Sequence, residues 1–357
     1  MRRLGLLVLV PALAHADGAL VFQRGTALWQ KGDVGETKLA DLEDNREVRW
    51  IEATREGKLV VLDLGGHAEW LLVDDPPQTS TLYVSGCTGR AHPAPTADVL
   101  VCPTADGPTL VAAVQPDISM ALPDPLDDAA FLGTSPVEVV GLTADGVVAL
   151  DRRRPTERRT LTRPGATSHF LAAPDGVHAV AVFGEKMDAR VRTFLLDGQG
   201  VSRQLGGPGV PTLFSWDSQW LMFQEGDIAN APKPGDEEGL LQPTDRRDPF
   251  LVAAPKAAAR KKASPAHESV TTRACVARAT GGEVKCWDGY TGMAFSPDST
   301  RVLLKRDKVL YVGKIAGVRP DAPVKVIDNA DGAATWVPVP LVPARPATAP
   351  PAPAQKP

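Results

Sequence analysis

Apolar positions in this chain fall in short runs rich in Val, Leu and aromatic residues, bounded by Gly, Pro or Asp, as in ALVFQRG, KLVVLDLGG, TLYVSG, HAVAVFGE, QWLMFQEGD and RVLLKRD. Branched and aromatic side chains suit a pleated surface, and Gly, Pro and Asp suit the corners between strands. The pattern therefore predicts strands throughout. No segment shows the apolar stripe of a three-turn helix. The nearest, PKAAARKKASPA at 255–266, has helix-favouring alanines but too poor an apolar face to pack.

The runs recur in a fixed setting. FSPDSTRVLL (295–304) has relatives in FLAAPDGVHAVAVF (170–183) and FSWDSQWLMF (214–223), with fainter ones in WIEATREGKLVVL (50–62) and LTADGVVAL (142–150). Each is an apolar residue, a small-residue step, a turn carrying Asp, Glu or Ser, and then a strand. Pro presets φ at the first corner, Asp bonds its own backbone, and Gly or Ser tolerates the next corner. The expected product is a hairpin with one buried face. Third and fourth strands follow, as in FLLDGQG with VSRQLGG and VLYVGKIAG with APVKVIDN. Four short strands every ~40 to 45 residues is the signature of a β-propeller blade.

The Phe-Ser-Pro-Asp-Ser turn at 295–299, with the apolar strand after it and the VLYVGK strand beyond, resembles the WD-repeat-like propeller repeat of the TolB family of secreted bacterial proteins. The clear matches are 170–207 and 292–330, and weaker ones extend over most of 19–338. The resemblance implies a propeller and a protein-binding role at the cell envelope. TolB carries an α/β domain ahead of its propeller, whereas here Asp17 leads directly into strands, which puts a carry-over of its partners in doubt. A second segment, ACVARATGGEVKCWDGYTG (274–292), is similar to the hairpin of the regulator-of-chromosome-condensation type repeat. Only one copy is present, and a disulfide-stapled hairpin that reached those residues independently accounts for it better.

The expected fold is all-β: a propeller of seven four-stranded antiparallel blades, with six as the alternative. ALVFQRG, TALWQKG and ETKLADL lack a first strand and ADGAATWVPVP lacks what should follow one, so the two ends are expected to share a blade. Sharing would remove the exposed edges of an open array. The other blades are expected over 46–84, 85–127, 128–166, 167–208, 209–289 and 290–330. The alternative arises because 85–140 is irregular and holds DISMALPDPLDD, which reads equally as a loop. Residues 228–269 are expected to form a flexible insertion, being too rich in Pro, Ala and charge to offset the entropy of ordering. Residues 339–357, rich in Pro and Ala, are expected to form an extended, disordered tail.

The chain begins MRRLGLLVLVPALAHAD, with two arginines, an apolar run and an Ala-His-Ala cleavage pattern. This predicts a signal peptide over 1–16 and a propeller domain over 17–338 in a periplasmic or secreted protein. The apolar run is far short of the ~20 residues needed to span a bilayer, so no membrane insertion is expected. Lys and Arg number 39 against 43 Asp and Glu, a formal charge of −4, and removal of Arg2 and Arg3 with the leader makes it −6. Such a chain has no general attraction for nucleic acid. In an oxidising compartment Cys87, Cys102, Cys275 and Cys286 read as two local disulfides, Cys87–Cys102 and Cys275–Cys286. Their spacing is too wide for a zinc knuckle.

The common catalytic motifs are absent from the sequence, and a carboxylate pair facing across a propeller channel is an arrangement that sequence alone does not display. The chain has no Gly-x-Ser-x-Gly elbow, no His-Glu-x-x-His, no phosphate-binding loop and no dinucleotide fingerprint. His67, His92, His169, His178 and His267 are scattered without partners at ligand spacing. Asp145, Asp175, Asp217 and Asp298 recur at the turn, where bonding the backbone explains them. The basic groups Arg152–Arg154, Arg158, Arg159 and Arg260–Lys262 read as solvated turns, and the tryptophans as packing between blades. The expectation is a monomeric, non-catalytic scaffold with no cofactor and no metal, whose partner is an envelope protein. The alternative is a carbohydrate-binding protein or glycan-active enzyme using the central channel or a rim.

Overall fold

The computed structural model describes residues 18–33, 35–42, 48, 50–54, 59–63, 67–73, 79–85, 92–94, 99–103, 109–113, 118–122, 126–131, 138–143, 146–151, 153–154, 156–161, 167–175, 177–183, 192–196, 202–205, 209–225, 272–316 and 320–338. The expected leader, the insertion at 228–269 and the tail lie outside these residues. Among the described residues the chain forms seven four-stranded antiparallel sheets. None of them belongs to a helix long and apolar enough to cross a membrane.

One sheet joins the two ends of the chain, with β28 (Ala334–Val337) pairing along β1 (Ala19–Arg24), followed by β2 (Ala27–Gly32) and β3 (Gly35–Asp41). The other six follow in chain order. They are led by β4 (Trp50–Ala53), β8 (His92–Pro93), β12 (Asp127–Phe131), β16 (Thr167–Ala172), β20 (Val210–Phe214) and β24 (Thr291–Phe295). DISMALPDPLDD supplies strand at both ends, in β11 (Ile118–Ala121) and at the start of β12. Neighbouring sheets touch in chain order through their leading strands from β4 to β20, β24 is reached by β21 and β22 of the sheet before it, and β24 and β4 both touch β28 of the sheet that holds the chain ends.

The core lies between sheets. On β25 (Arg301–Arg306), Val302 and Leu304 pack towards the preceding sheet with Met222, Val276 and Trp287, while Leu303 packs towards the following one with Leu20, Phe22 and Trp336. On β21 (Trp220–Glu225) the same split sends Met222 forward, and Leu221 and Phe223 back against Leu171 and Val180. The hairpins were expected to bury one face. Because each sheet is sandwiched between two others, its second strand buries both, which is why these strands read as continuous apolar runs instead of strict alternation.

The recurring turn is built as its residues suggest. In Ser296-Pro297-Asp298-Ser299 the Ser296 hydroxyl donates to Asp298 and accepts from the Arg301 amide, and the Asp298 carboxylate accepts the Thr300 amide. Ser215 and Asp217 repeat the arrangement with the amides of Trp220 and Gln219. Ser299 and Ser218 take the left-handed corner at φ 58° and 60°. Their hydroxyls then reach sideways: Ser218 accepts the Asp175 amide at 2.9 Å and Ser299 accepts the Asp217 amide at 3.1 Å. Each turn thus ties down the turn of the sheet before it.

A second tie repeats at the fifth position of the second strand. Buried Gln23 accepts the Val48 amide, buried Gln224 donates to the carbonyls of Arg273 and Tyr290 and accepts the Gly292 amide, and buried Lys305 donates to the carbonyls of Asp331 and Gly332. Each side chain satisfies backbone groups in the connection to the next leading strand, which would otherwise be buried without partners.

The disulfide Cys275–Cys286 forms between directly opposed residues of β22 (Arg273–Arg278) and β23 (Val284–Asp288). Cys102 is disulfide-bonded as well, and its expected partner Cys87 lies outside the described residues. A bridged pair fits an oxidising compartment. The long connection between β21 and β22 leaves and returns at one point, since Glu225 stands opposite Arg273 in the ladder.

Candidate functional site

One cavity of about 190 Å³ takes its lining from the leading strand of every sheet. Its wall is largely apolar and aromatic, including Phe131, Phe170, Phe214, Trp216, Met293 and Phe295. Two of the residues that reach it do so through local irregularity. The pairing of β20 with β21 slips between Pro211 and Leu213, and that of β24 with β25 slips between Gly292 and Ala294, so Thr212 and Met293 stand out of register and turn to the cavity.

The polar part of the wall is concentrated on β4 and β8. The Glu52 carboxylate meets the His92 ring at 3.0 Å, and the Trp50 ring meets His92 edge-on with centroids 5.0 Å apart. The Glu52 and His92 side chains retain 32% and 16% of their exposure, so the pair faces the open space instead of being sealed in the core. Among the described lining residues Glu52 is the one carboxylate and His92 the one imidazole, with no lysine or arginine. The arrangement can accept hydrogen bonds and favours positive charge.

The other singled-out residues have structural partners. His169 is buried with its Nε2 3.0 Å from the Pro211 carbonyl. His178 pairs with Asp175 at 2.6 Å. Burial alone would raise the Asp175 carboxyl, but the His178 ring and the amides of His178 and Val177 hold it below its ordinary value. For Asp298 too, desolvation pushes upward and the bonds from Ser296 and Thr300 win. The side chain of His67 and all of Asp145 and His267 lie outside the described residues.

Three arginines of the basic turn have acidic partners, and Arg152 lies outside the described residues. Arg153 pairs with Asp151, Arg154 with Glu157, and Arg159 with Glu138. The Arg153 guanidinium draws the Asp151 carboxyl down to about 2. Arg260, Lys261 and Lys262 lie outside the described residues. Most described tryptophans pack between sheets: Trp287 lies on Gly313 and donates to the Asp321 carbonyl, and Trp336 joins the cluster with Leu303. Trp50 and Trp216 differ in lining the cavity. Among the described residues no group of His, Cys, Asp and Glu is placed to hold a metal ion.

The sequence reading passed over Glu52 with His92, because the two lie on different sheets and neither sits in a motif. The signal that was available is a charged residue inside a leading strand, WIEA, where its counterparts TLF and MAF are apolar or uncharged.

No protein-family model matches the chain, and no curated protein matches it by sequence. Solved structures do. The β-propeller domain of Cps50 (Swd1) from Myceliophteria thermophila covers 82% of this chain and 91% of its own at 10% identity, with a TM-score of 0.50. The fold is a β-propeller. An oligogalacturonate lyase from Vibrio parahaemolyticus is similar with a TM-score of 0.57 at 8% identity, over 84% of this chain and 91% of that one. A chain of the mitotic checkpoint complex is similar with a TM-score of 0.50 at 13% identity, over 87% of each. At these identities the propeller architecture is shared and nothing finer. The TolB resemblance rests on the turn motif of this sequence.

Proposed function

We propose that the chain is an exported, non-catalytic propeller of seven blades, closed by its two ends, that acts as a monomeric scaffold capturing a protein of the cell envelope. The leader MRRLGLLVLVPALAHAD supports export, and the Cys275–Cys286 bridge is consistent with it. Contact from each sheet to the next in chain order, and the pairing of β28 with β1, support a closed wheel. The observation that carries the scaffold reading is the connection from Glu225 to Arg273, whose ends are paired to each other on a frame clamped from turn to turn. Binding residues concentrate on loops held by such rigid frames.

The test is retention of envelope proteins on the immobilised mature protein and on a variant lacking residues 231–265, beside turnover assays on general ester, peptide and glycoside substrates. The scaffold reading expects a specific protein retained by the first and lost from the second, without turnover. Turnover abolished by a single carboxylate or serine substitution overturns it.

A second reading, a carbohydrate-binding or glycan-active protein, is favoured by the Glu52–His92 pair facing the cavity. A glycan array distinguishes the two. Acidic glycans are the poorer candidates within that reading, because the described lining offers a carboxylate and no cation to meet them.

A further inference from the structure

We propose that the central cavity binds one small organic cation, with its ammonium or guanidinium head on the Glu52 carboxylate and its apolar stem against Phe131, Phe170 and Met293. The size sets the class: a dry cavity of ~150 Å³ accommodates benzene, and the space here is about 190 Å³. That is room for a single ring or a short chain with one polar head. The walls set the stem. Phe131 and Phe170 are buried at 5% and 1% exposure, and Met293 adds an unbranched thioether that adapts to shape.

The sign of the head follows from Glu52. The His92 ring occupies one of its oxygens at 3.0 Å and orients it, and a carboxylate has acceptor capacity beyond a single N–H. A neutral imidazole leaves the carboxylate's charge in place, and no lysine or arginine among the described lining residues balances it. A charge-assisted bond in an apolar surround is stronger than its neutral counterpart. Trp50 beside the pair adds a ring whose face attracts cations. An anion would meet the carboxylate, and a wholly apolar guest would cover it while adding no donor to the one that His92 supplies. Of these three, the cation suits both the walls and the charge.

Two sources supply this chemistry, a free amine or a lysine or arginine side chain of a bound peptide. The experiment is calorimetric titration of the purified mature protein at pH 8. The probes are benzylammonium, benzyl alcohol and benzoate, of similar shape and different charge. Benzylammonium is expected to saturate one site roughly ten-fold more tightly than benzyl alcohol, with benzoate weakest. Glu52→Gln is expected to remove that preference, so that benzylammonium binds no more tightly than the alcohol.

Equal affinity for benzylammonium and the alcohol, preference for benzoate, no saturable binding of benzylammonium at millimolar concentration, or a preference that survives Glu52→Gln would each overturn the proposal. Should the variant fail to fold, the charge series on the unaltered protein decides alone. An unstructured lysine peptide and its acetyl-lysine counterpart form the second arm. Preference for the lysine peptide assigns the cation to a partner's side chain, and binding of the free amine alone assigns it to a small molecule. The result is independent of the scaffold reading, because no envelope partner is present in the measurement.

Discussion

The Gly25 amide donates to the Asp331 carboxylate at 2.7 Å across 306 positions of chain. Around this bond Asp331 gathers others: its carboxylate pairs with Lys308, its amide donates to the Gln23 carbonyl, and its carbonyl accepts from buried Lys305. Asp331 therefore stitches the last sheet to the sheet that holds both chain ends. Truncation after Asp331 removes β28 and exposes the edge of β1, whereas truncation after Pro340 leaves the described residues whole. The first truncation is expected to lower the melting temperature sharply and the second hardly at all. Equal melting temperatures would show that β28 does not close the sheet in solution.

The same carboxylate gives a dependence on pH. The Lys308 ammonium, then the Gly25 amide, hold Asp331 below its ordinary value of 3.8. A depressed folded-state value means that the stabilisation is present above the unfolded value and is lost as pH falls through the folded one. The urea midpoints of the wild type and Asp331→Asn are therefore expected to differ most at neutral pH and to converge below about pH 4. Since Asp331 is part-exposed and its partner Lys308 largely so, solvent screens the pair and the difference should stay under about 1 kcal/mol. A gap that is constant from pH 7 to pH 2.5 would assign the variant's effect to something other than the charge.

Glycines at the sheet interfaces rank by what a side chain would strike. A Cβ at Gly332 would lie 2.0 Å from the Gln23 amide oxygen and 2.8 Å from the Val48 carbonyl, so it would break a buried tie and press on backbone. At Gly292 the obstacle is the Met222 sulfur at 2.1 Å, the adaptable part of a thioether. Gly332→Ala is expected to cost about 1 to 3 kcal/mol and Gly292→Ala less, by chemical denaturation. The reverse order would mean that Met222 has no room to turn.

How far the sequence revealed this molecule depended on how local each feature was. The Asp turns were legible because Ser296, Asp298 and Arg301 meet within six residues, and the pairing of Cys275 with Cys286 was legible for the same reason. Burial of both faces on β25 was not, because RVLLKR looks the same whether one neighbouring sheet or two cover it. The ties through Gln23, Gln224 and Lys305 were hidden because their acceptors belong to the next connection in space. Glu52 and His92 meet only once β4 and β8 lie side by side, so no spacing rule could bring them together.

The Cys275–Cys286 bridge closes a short loop, with a sequence separation of 11. Restricting the unfolded chain over such a loop contributes roughly 2 to 4 kcal/mol. Replacing both cysteines with alanine is expected to lower stability by that order while leaving the strand content seen by circular dichroism intact, because the β22–β23 ladder does not depend on the bridge. Loss of folded protein would show that the bridge is needed to form the hairpin at all.

The tie between turns offers a cleaner test than removing a whole strand. Ser299 combines a left-handed backbone with a hydroxyl that accepts the Asp217 amide at 3.1 Å, so two effects oppose each other at one residue. Ser299→Gly relieves the backbone and removes the acceptor, whereas Ser299→Ala keeps the strain and also removes the acceptor. Alanine is therefore expected to be the more destabilising, with the gap between the two set by the left-handed corner at about 1 kcal/mol. Hydrogen exchange at the Asp217 amide should rise in both variants, since each loses the same acceptor. Protection that persists in the alanine variant would show that the turns of adjacent sheets are held together by packing and not by this bond.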